Sequence, residues 1–332
     1  MKNINIVTRE LAFGIRMVSL RGDFSLPPEQ HTFSVALGNF DGVHTAHRLL
    51  LAAAVRKSEE CEHCHSAVFC FDPPSSDYLN ERGTSYRHLS VLEEKLSAFA
   101  ECGIEYAFLA DFPQLKNMDP ADFIDRVLNK ICHATSVICG FNFRFGKMGA
   151  GTPALLNRFF GDSNCVQVAP CCMPTESSAS SVISSSSIRM ALLEGHVQTA
   201  ARLLGRPYSF TAQVVIGKQL GRTIGIPTIN QFFPKDKILL HSGIYITRCL
   251  VDGVWIHGIS NIGTHPTVDT HAPINCETHL LNFGQEIYGR LVTVEFLHRL
   301  RDEKRFSSVD ELTKAIQSDI QDAIRYFQKH PK

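Results

Sequence analysis

Gly217-Lys-Gln-Leu-Gly-Arg-Thr-Ile-Gly-Ile-Pro-Thr-Ile-Asn230 is the most informative stretch of this 332-residue chain. Glycines at 217, 221 and 225 let the backbone turn sharply and bring its N–H groups against an anion where a Cβ would intrude. Arg222 adds positive charge. Pro227 fixes the chain ahead of Thr228 and Asn230, two neutral oxygen donors on one side of an extended segment, hard ligands of the kind a phosphate-bound Mg²⁺ accepts. The pattern is not a P-loop, which needs Gly-Lys-Ser/Thr at the opening of a helix. Its flanks, 210–216 and 238–251, alternate and carry β-branched residues, so the loop is expected in a β domain. Strands at 243–251, 254–259, 276–281 and 290–297 complete a small closed antiparallel barrel. Ser308-x-x-Glu311 is a capping box for a final helix, whose Leu312, Ile316, Ile320 and Ile324 are expected to cover the barrel wall.

The first half alternates strands and helices in the βαβ manner, which predicts a parallel sheet with helices on both faces. Strands are expected at 33–37, 67–71, 106–110 and 136–139, and helices over 48–58, after Ser90 with Glu93 as a capping box, and from Asp119-Pro120. Ligands of such sheets bind at the carboxyl ends of the strands. Gly38-Asn-Phe-Asp-Gly-Val-His-Thr-Ala-His47 follows the first of these strands. His44 and His47, at a strand-to-helix turn, can face one phosphate together with the helix N-terminus. Two domains are expected: 1–187 and 206–332, joined by a helical linker, 188–205.

Formal charge is zero, with 33 basic and 33 acidic residues, which gives no electrostatic case for nucleic acid or an anionic membrane. The apolar run 49–55 is too short to span a bilayer, and the N-terminus lacks the basic-then-apolar order of a signal peptide. The 11 cysteines sit mostly in apolar surroundings, as reduced thiols do. Cys61-Glu-His-Cys-His65 has no second ligand pair at zinc spacing and reads as a polar connection. A cytoplasmic protein is expected, a monomer or weak homo-oligomer acting on small molecules.

Between 205 and 322 the chain resembles riboflavin kinase. The spaced glycines with Pro-Thr-x-Asn resemble that family's ATP and Mg²⁺ loop, Asn261-Ile-Gly-Thr-His-Pro-Thr267 its Asn-Ile-Gly-x-x-Pro-Thr, and Glu277-Thr-His-Leu the stretch that supplies the catalytic base. The resemblance implies that Gly217, Gly221, Arg222 and Gly225 cradle ATP, that Thr228 and Asn230 hold Mg²⁺, that Glu277 is the base and that Arg301 contacts the flavin. The first half resembles the FMN adenylyltransferase module of bacterial FAD synthetases, a Rossmann-like nucleotidyltransferase fold. The matching segments are Gly38-x-Phe-Asp-Gly-Val-His-x-x-His47, Phe71-Asp-Pro, Gly140-Phe-Asn-Phe-Arg-Phe-Gly146 and Ile183-Ser-Ser-Ser-Ser-Ile-Arg189. That resemblance assigns Gly38, Phe40, Asp41, Gly42, Ser184, Ser185 and Ser186 to ATP, His44, His47 and Arg189 to catalysis and Asn142 to the flavin. The chain departs from the family at Ala46, where glycine is usual, and at Pro74-Ser75, where His-Pro is usual. Riboflavin, FMN, FAD and ATP are thus the expected small-molecule partners. Two alternatives are a kinase alone, its first domain a scaffold marked by those departures, and a non-catalytic sensor of flavin nucleotides.

Overall fold

A computed structural model describes residues 6–10, 15–20, 31–75, 78, 87–173, 181–217, 219–263 and 274–331. The chain divides into two compact units, Met1–Ser185 and Ser186–Lys332.

The first unit is built on seven strands: β1 (Ile6–Glu10), β2 (Arg16–Leu20), β3 (Thr32–Leu37), β4 (Cys64–Phe71), β5 (Tyr106–Ala110), β6 (Ala134–Gly140) and β7 (Cys165–Val168). Their order is β1-β2-β5-β4-β3-β6-β7. Only β1 and β2 pair antiparallel; the other neighbours are parallel. A parallel sheet covered on both faces has strands that are apolar throughout rather than alternating, and β5 is buried along its whole length. One face carries α1 (Thr45–Ser58) and α2 (Leu92–Glu101), whose Leu51, Ala54, Leu96 and Phe99 are nearly inaccessible. The other carries Phe123, Ile124, Val127 and Leu128 from the helix opened by Pro120, and Leu156 of α3 (Pro153–Phe160). Each such side chain contributes about 1.5–3 kcal/mol. A two-residue pair, β8 (Cys172–Met173) with β9 (Ser181–Val182), precedes the end of the unit.

Strand β3 lies between β4 and β6, so the chain leaves the sheet centre at the carboxyl end of β3 and returns on both sides. The turn after β3 and the turn after β6 therefore flank the topological switch point, where open α/β sheets hold ligands.

The second unit opens with α4 (Ser185–Leu193), whose first residue still belongs to the first unit, and α5 (Val197–Leu204), ended by Gly205 in the left-handed conformation at φ 76°. Six antiparallel strands follow in the order β10-β15-β12-β13-β14-β11. They are β10 (Tyr208–Gln213), β11 (Ile229–Phe232), β12 (Gly243–Val251), β13 (Val254–Gly263), β14 (Asn275–Leu280) and β15 (Leu291–Arg301). The barrel is nearly closed: between β10 and β11 the seam is held by the Val215 N–H donating to the Asn230 carbonyl at 2.8 Å and by the buried Gln231 carboxamide donating to the Ala212 carbonyl at 2.7 Å. Odd-numbered residues of β12, such as Tyr245 and Thr247, point inward among Tyr208, Phe210 and Phe296. Inside, Thr247, Ser260 and Thr278 are joined by hydroxyl contacts of 2.8 and 2.7 Å.

The terminal helix α6 (Val309–Lys329) is capped by the Ser308 hydroxyl, which accepts the Glu311 N–H at 3.2 Å. It packs on the outer wall through Ala323 and Phe327 against Ile246 and Ile259. Of the expected stripe, Ile320 packs on this cluster. Leu312 and Ile316 face a cavity, and Ile324 is 36 % exposed.

Candidate functional site

One transverse row of the barrel gathers several of the candidate residues of this unit. Asn230 on β11 is opposite Glu277 on β14, Glu277 opposite Asn261 on β13, Asn261 opposite Ile244 on β12, and Ile244 opposite Arg301 on β15. Directly opposed residues share a face of the sheet. Ile244 is on the outward face, beneath the first turns of α6. The Asn275 amide bridges the row by donating to Asn230 Oδ1 at 2.8 Å and to Glu277 Oε1 at 3.1 Å. Arg301 is held by Asp319 of α6 through two bonds, Nε to Oδ1 at 2.9 Å and an Nη to Oδ2 at 2.6 Å. That bidentate geometry fixes the guanidinium plane.

Two cavities meet at Thr228, which lines both. The first, about 300 Å³, lies between Val214, Thr278 and Leu280 on one side and residues 283–288 on the other. Arg222 stands at its edge, donating to Glu286 at 2.6 Å and to the Tyr288 hydroxyl at 3.3 Å. The second, about 370 Å³, has Glu277, Asn261 and Arg301 on its polar side and Ile224, Ile226, Ile244, Phe306, Leu312 and Ile316 on its apolar side.

The glycine loop is shaped by close approaches. A Cβ on Gly217 would lie 2.5 Å from the Asn230 carboxamide, and one on Gly221 would lie 2.2 Å from the Ile226 carbonyl oxygen. Gly225 is left-handed at φ 75°. A side chain at Gly217 would displace Asn230, and the Thr228 hydroxyl makes no hydrogen bond among the described residues. The Thr228 hydroxyl, the Asn261 carboxamide and the Glu277 carboxylate line one cavity, with Asn230 opposite Glu277 in register, a hard-oxygen set suited to Mg²⁺. Residues 264–267 of the Asn-Ile-Gly-x-x-Pro-Thr segment lie outside the described residues.

In the first unit the loop after β3 is wound tightly: Phe40 and Val43 have φ of 51° and 40°, and Gly42 of 81°. Non-glycine residues hold such conformations only where surroundings enforce them. Here the Asp41 carboxylate accepts the Leu89 and Ser90 N–H groups at 2.9 and 3.3 Å, the Ser90 hydroxyl accepts the Gly42 N–H at 3.0 Å, and Ser185 donates its hydroxyl to the Asp41 carbonyl at 2.9 Å. Ser90 therefore serves the loop and not the expected capping box. Helix α2 starts one residue later, with Glu94 accepting the Val91 N–H at 3.3 Å. Asp41 and Ser185 build the loop, Ser184 adjoins it in sequence, and Gly38 packs under the Phe40 ring.

His44 caps α1, its Nδ1 accepting the His47 N–H at 3.3 Å, which leaves the proton of a neutral His44 on Nε2. The two imidazoles stack with centroids 3.5 Å apart, and His47 Nδ1 is buried without a partner. Burial first, then His44 and the Lys95 charge, hold His47 well below the usual histidine range, so it is neutral at pH 7. Ala46 lies in the first helical turn of α1. At the other departure from the family, Ser75 exchanges hydrogen bonds with the Asn39 carboxamide at 2.9 and 3.1 Å.

Asn142 is exposed on the turn after β6, across the switch point in strand order. Ser186 and Arg189 are on α4 in the second unit. Three features escaped the sequence reading: Asn261 as a member of the catalytic row, the stack of Tyr78 on Phe112 at 5.8 Å near the ends of β4 and β5, and the buried Lys95. Lys95 left a trace, because Leu92, Lys95, Leu96 and Phe99 follow the spacing of one helix face.

A riboflavin kinase family model matches residues 204–327, and an FAD synthetase family model matches residues 26–186. The bifunctional riboflavin kinase/FMN adenylyltransferase of Bacillus subtilis is 34% identical over 303 residues, covering 90% of this chain and 94% of that protein. Its namesake from Escherichia coli K12 is 32% identical over 300 residues, covering 88% and 92%. A solved structure from Streptococcus pneumoniae, described as a macrolide-efflux protein, has a TM-score of 0.81 at 26% identity and covers 92% of this chain and 97% of that one. Among the described residues of the present chain, no helix is long and apolar enough to cross a membrane.

Proposed function

The chain belongs to the bifunctional riboflavin kinase/FMN adenylyltransferase family; it phosphorylates riboflavin to FMN and adenylylates FMN to FAD, and we propose that the first reaction runs across Thr228. The observation that carries this reading is the row in which Asn230, Glu277 and Asn261 stand side by side next to two adjoining cavities. The 300 Å³ cavity takes ATP and the 370 Å³ cavity, with its apolar wall, takes the isoalloxazine. Gly217, Gly221 and Gly225 let the loop backbone close on the triphosphate, and Arg222 exchanges Glu286 for phosphate. Thr228 and Asn230 hold Mg²⁺, which when bound neutralises charge on the transferring phosphate. Glu277 orients the riboflavin 5′-hydroxyl and accepts its proton late, because the transition state is loose. Arg301, fixed by Asp319, contacts the flavin.

For the second reaction, the loop 38–47 receives a second ATP. The Phe40 N–H and His44 Nε2–H face its phosphates, Ser184 and Ser185 close the loop, and the FMN phosphate attacks the α-phosphorus with pyrophosphate leaving. The flavin of FMN lies toward Asn142 and the Tyr78–Phe112 stack. The protein works in the cytoplasm on free small molecules.

Glu277→Gln tests the assignment, read by chromatographing riboflavin, FMN and FAD after incubation with MgATP. FMN formation is expected to fall about 10²-fold or more, while supplied FMN still becomes FAD. Near-normal FMN formation removes Glu277 from the mechanism.

A further inference from the structure

Lys95 is a buried lysine that the mechanism leaves unused. It is 3 % exposed, on the face of α2 that packs into the sheet beside Leu96 and Phe99. Its ammonium makes one hydrogen bond, to the Asn39 carbonyl at 3.2 Å, and no carboxylate pairs with it among the described residues. Its charge reaches His47 on α1 and Cys70 at the end of β4, which places it beneath the loop 38–44. A buried ammonium without a counterion is among the costliest groups a core can hold. A chain that keeps one has a use for uncompensated positive charge.

The geometry of the peptide it touches supplies that use. A trans peptide points its C=O and N–H in opposite directions. With the Asn39 carbonyl drawn toward Lys95, the Phe40 N–H of the same peptide points away from the ammonium, and among the described residues it donates to nothing. Phe40 is left-handed at φ 51°, a conformation that needs an external hold.

We propose that Lys95 is a positioning residue for adenylyl transfer, its ammonium fixing the Asn39–Phe40 peptide so that the Phe40 N–H meets the triphosphate, which supplies the missing negative charge. The proposal rests on the reading of loop 38–47 as the phosphate site. It predicts that the lysine serves ATP at the expense of the fold, since a buried ion replaced by an apolar side chain of similar volume commonly leaves a protein as stable or more so.

The test uses the full chain with Lys95→Met and Lys95→Arg. FMN adenylylation is measured against MgATP concentration, with riboflavin phosphorylation and thermal unfolding alongside. For Lys95→Met, kcat/KM for MgATP in adenylylation is expected to drop about 10²-fold, as for loss of a preorganised donor. The unfolding midpoint is expected unchanged or raised and the kinase rate unchanged, and Lys95→Arg is expected to recover at least a tenth of wild-type adenylylation. Adenylylation within threefold of wild type in Lys95→Met overturns the proposal. So does a loss accompanied by a matching drop in stability that Lys95→Arg does not repair. His44→Ala run in parallel separates the two layers: if it too leaves adenylylation intact, the loop is not the phosphate site and both readings fall together.

Discussion

The two regions proposed to handle phosphate are built on opposite plans. In the barrel, Asn230, Glu277, Asn261 and Arg301 come from four strands and are brought into line by sheet register, with Asn275 and Asp319 fixing side chains that backbone pairing has already placed. In the first unit, the candidate atoms belong to one short loop, with left-handed residues, that is held by side chains from elsewhere: Ser90, Ser185, Lys95 and Ser75. Register is insensitive to distant substitutions, whereas a loop wound by ties depends on every tie. Kinase defects should therefore map to residues that touch substrate, and adenylyltransferase defects should spread to residues that do not.

The largest effect expected is at a residue on the loop itself. His44→Ala removes both the helix cap and the Nε2–H, and FAD formation should drop at least about 10²-fold while riboflavin phosphorylation continues at its normal rate. Parallel loss of both activities would show that the units are not chemically independent.

Ser90→Ala is the sharper probe, because Ser90 touches no substrate. It strands the buried Gly42 N–H, a penalty of about 1–3 kcal/mol, and FAD formation should fall about tenfold with kinase rates unchanged. The equivalent change in the barrel, Ser260→Ala in the interior hydroxyl chain, should lower barrel stability by about 1 kcal/mol with little effect on FMN formation at 25 °C. Equal sensitivity of the two reactions to these changes would erase the contrast.

A smaller effect concerns pH. His47 stays neutral in the folded protein well below the 6.5 at which the unfolded chain takes up a proton. The unfolded state thus binds more protons as pH falls below about 6.5. His47 lowers stability progressively from there toward its depressed folded value and has no such effect above. The first unit should lose up to about 1.4 kcal/mol per pH unit from this residue, a slope that denaturant unfolding of His47→Gln should lack. Smallest of all is Ala46→Gly, which should raise FAD formation a few-fold by clearing a methyl from the phosphate path. It should also cost the first turn of α1 about 1 kcal/mol and leave FMN formation unchanged.

Much of this was legible in sequence where a residue type acts locally. Asp119 before Pro120, Ser308 before Glu311 and the alternation of β12 announce themselves by spacing, and the structure has the helix caps and the strand there. Strand β11 escaped because Pro227 and the loop glycines dominate its surroundings, leaving only four residues, Ile229–Phe232, to pair. Strand β7 is as short, and β1 with β2 forms an antiparallel edge that breaks the βαβ rhythm. The candidate residues named beforehand, Glu277, Asn230, His44 and His47, are those with family motifs around them. Asn261 was quoted within a motif, yet its partnership with Glu277 is a property of register, which one strand cannot reveal by itself. Lys95 was passed over because a lysine on a helix is ordinarily read as solvated, and only the apolar spacing around it contradicts that reading.

The barrel seam has a bearing on heat. Strands β10 and β11 meet through the Val215–Asn230 bridge and the Gln231–Ala212 bond, and Asn230 also carries the carboxamide beside Glu277. Latch and grip share one four-residue strand, so a thermal fluctuation that parts the seam also swings the carboxamide out of line. The barrel need not melt for this to happen, since the other strand pairs are held by longer ladders. Warming should thus silence phosphoryl transfer some degrees below the temperature at which the barrel loses its structure, and a bound nucleotide, by gripping Asn230, should narrow that gap.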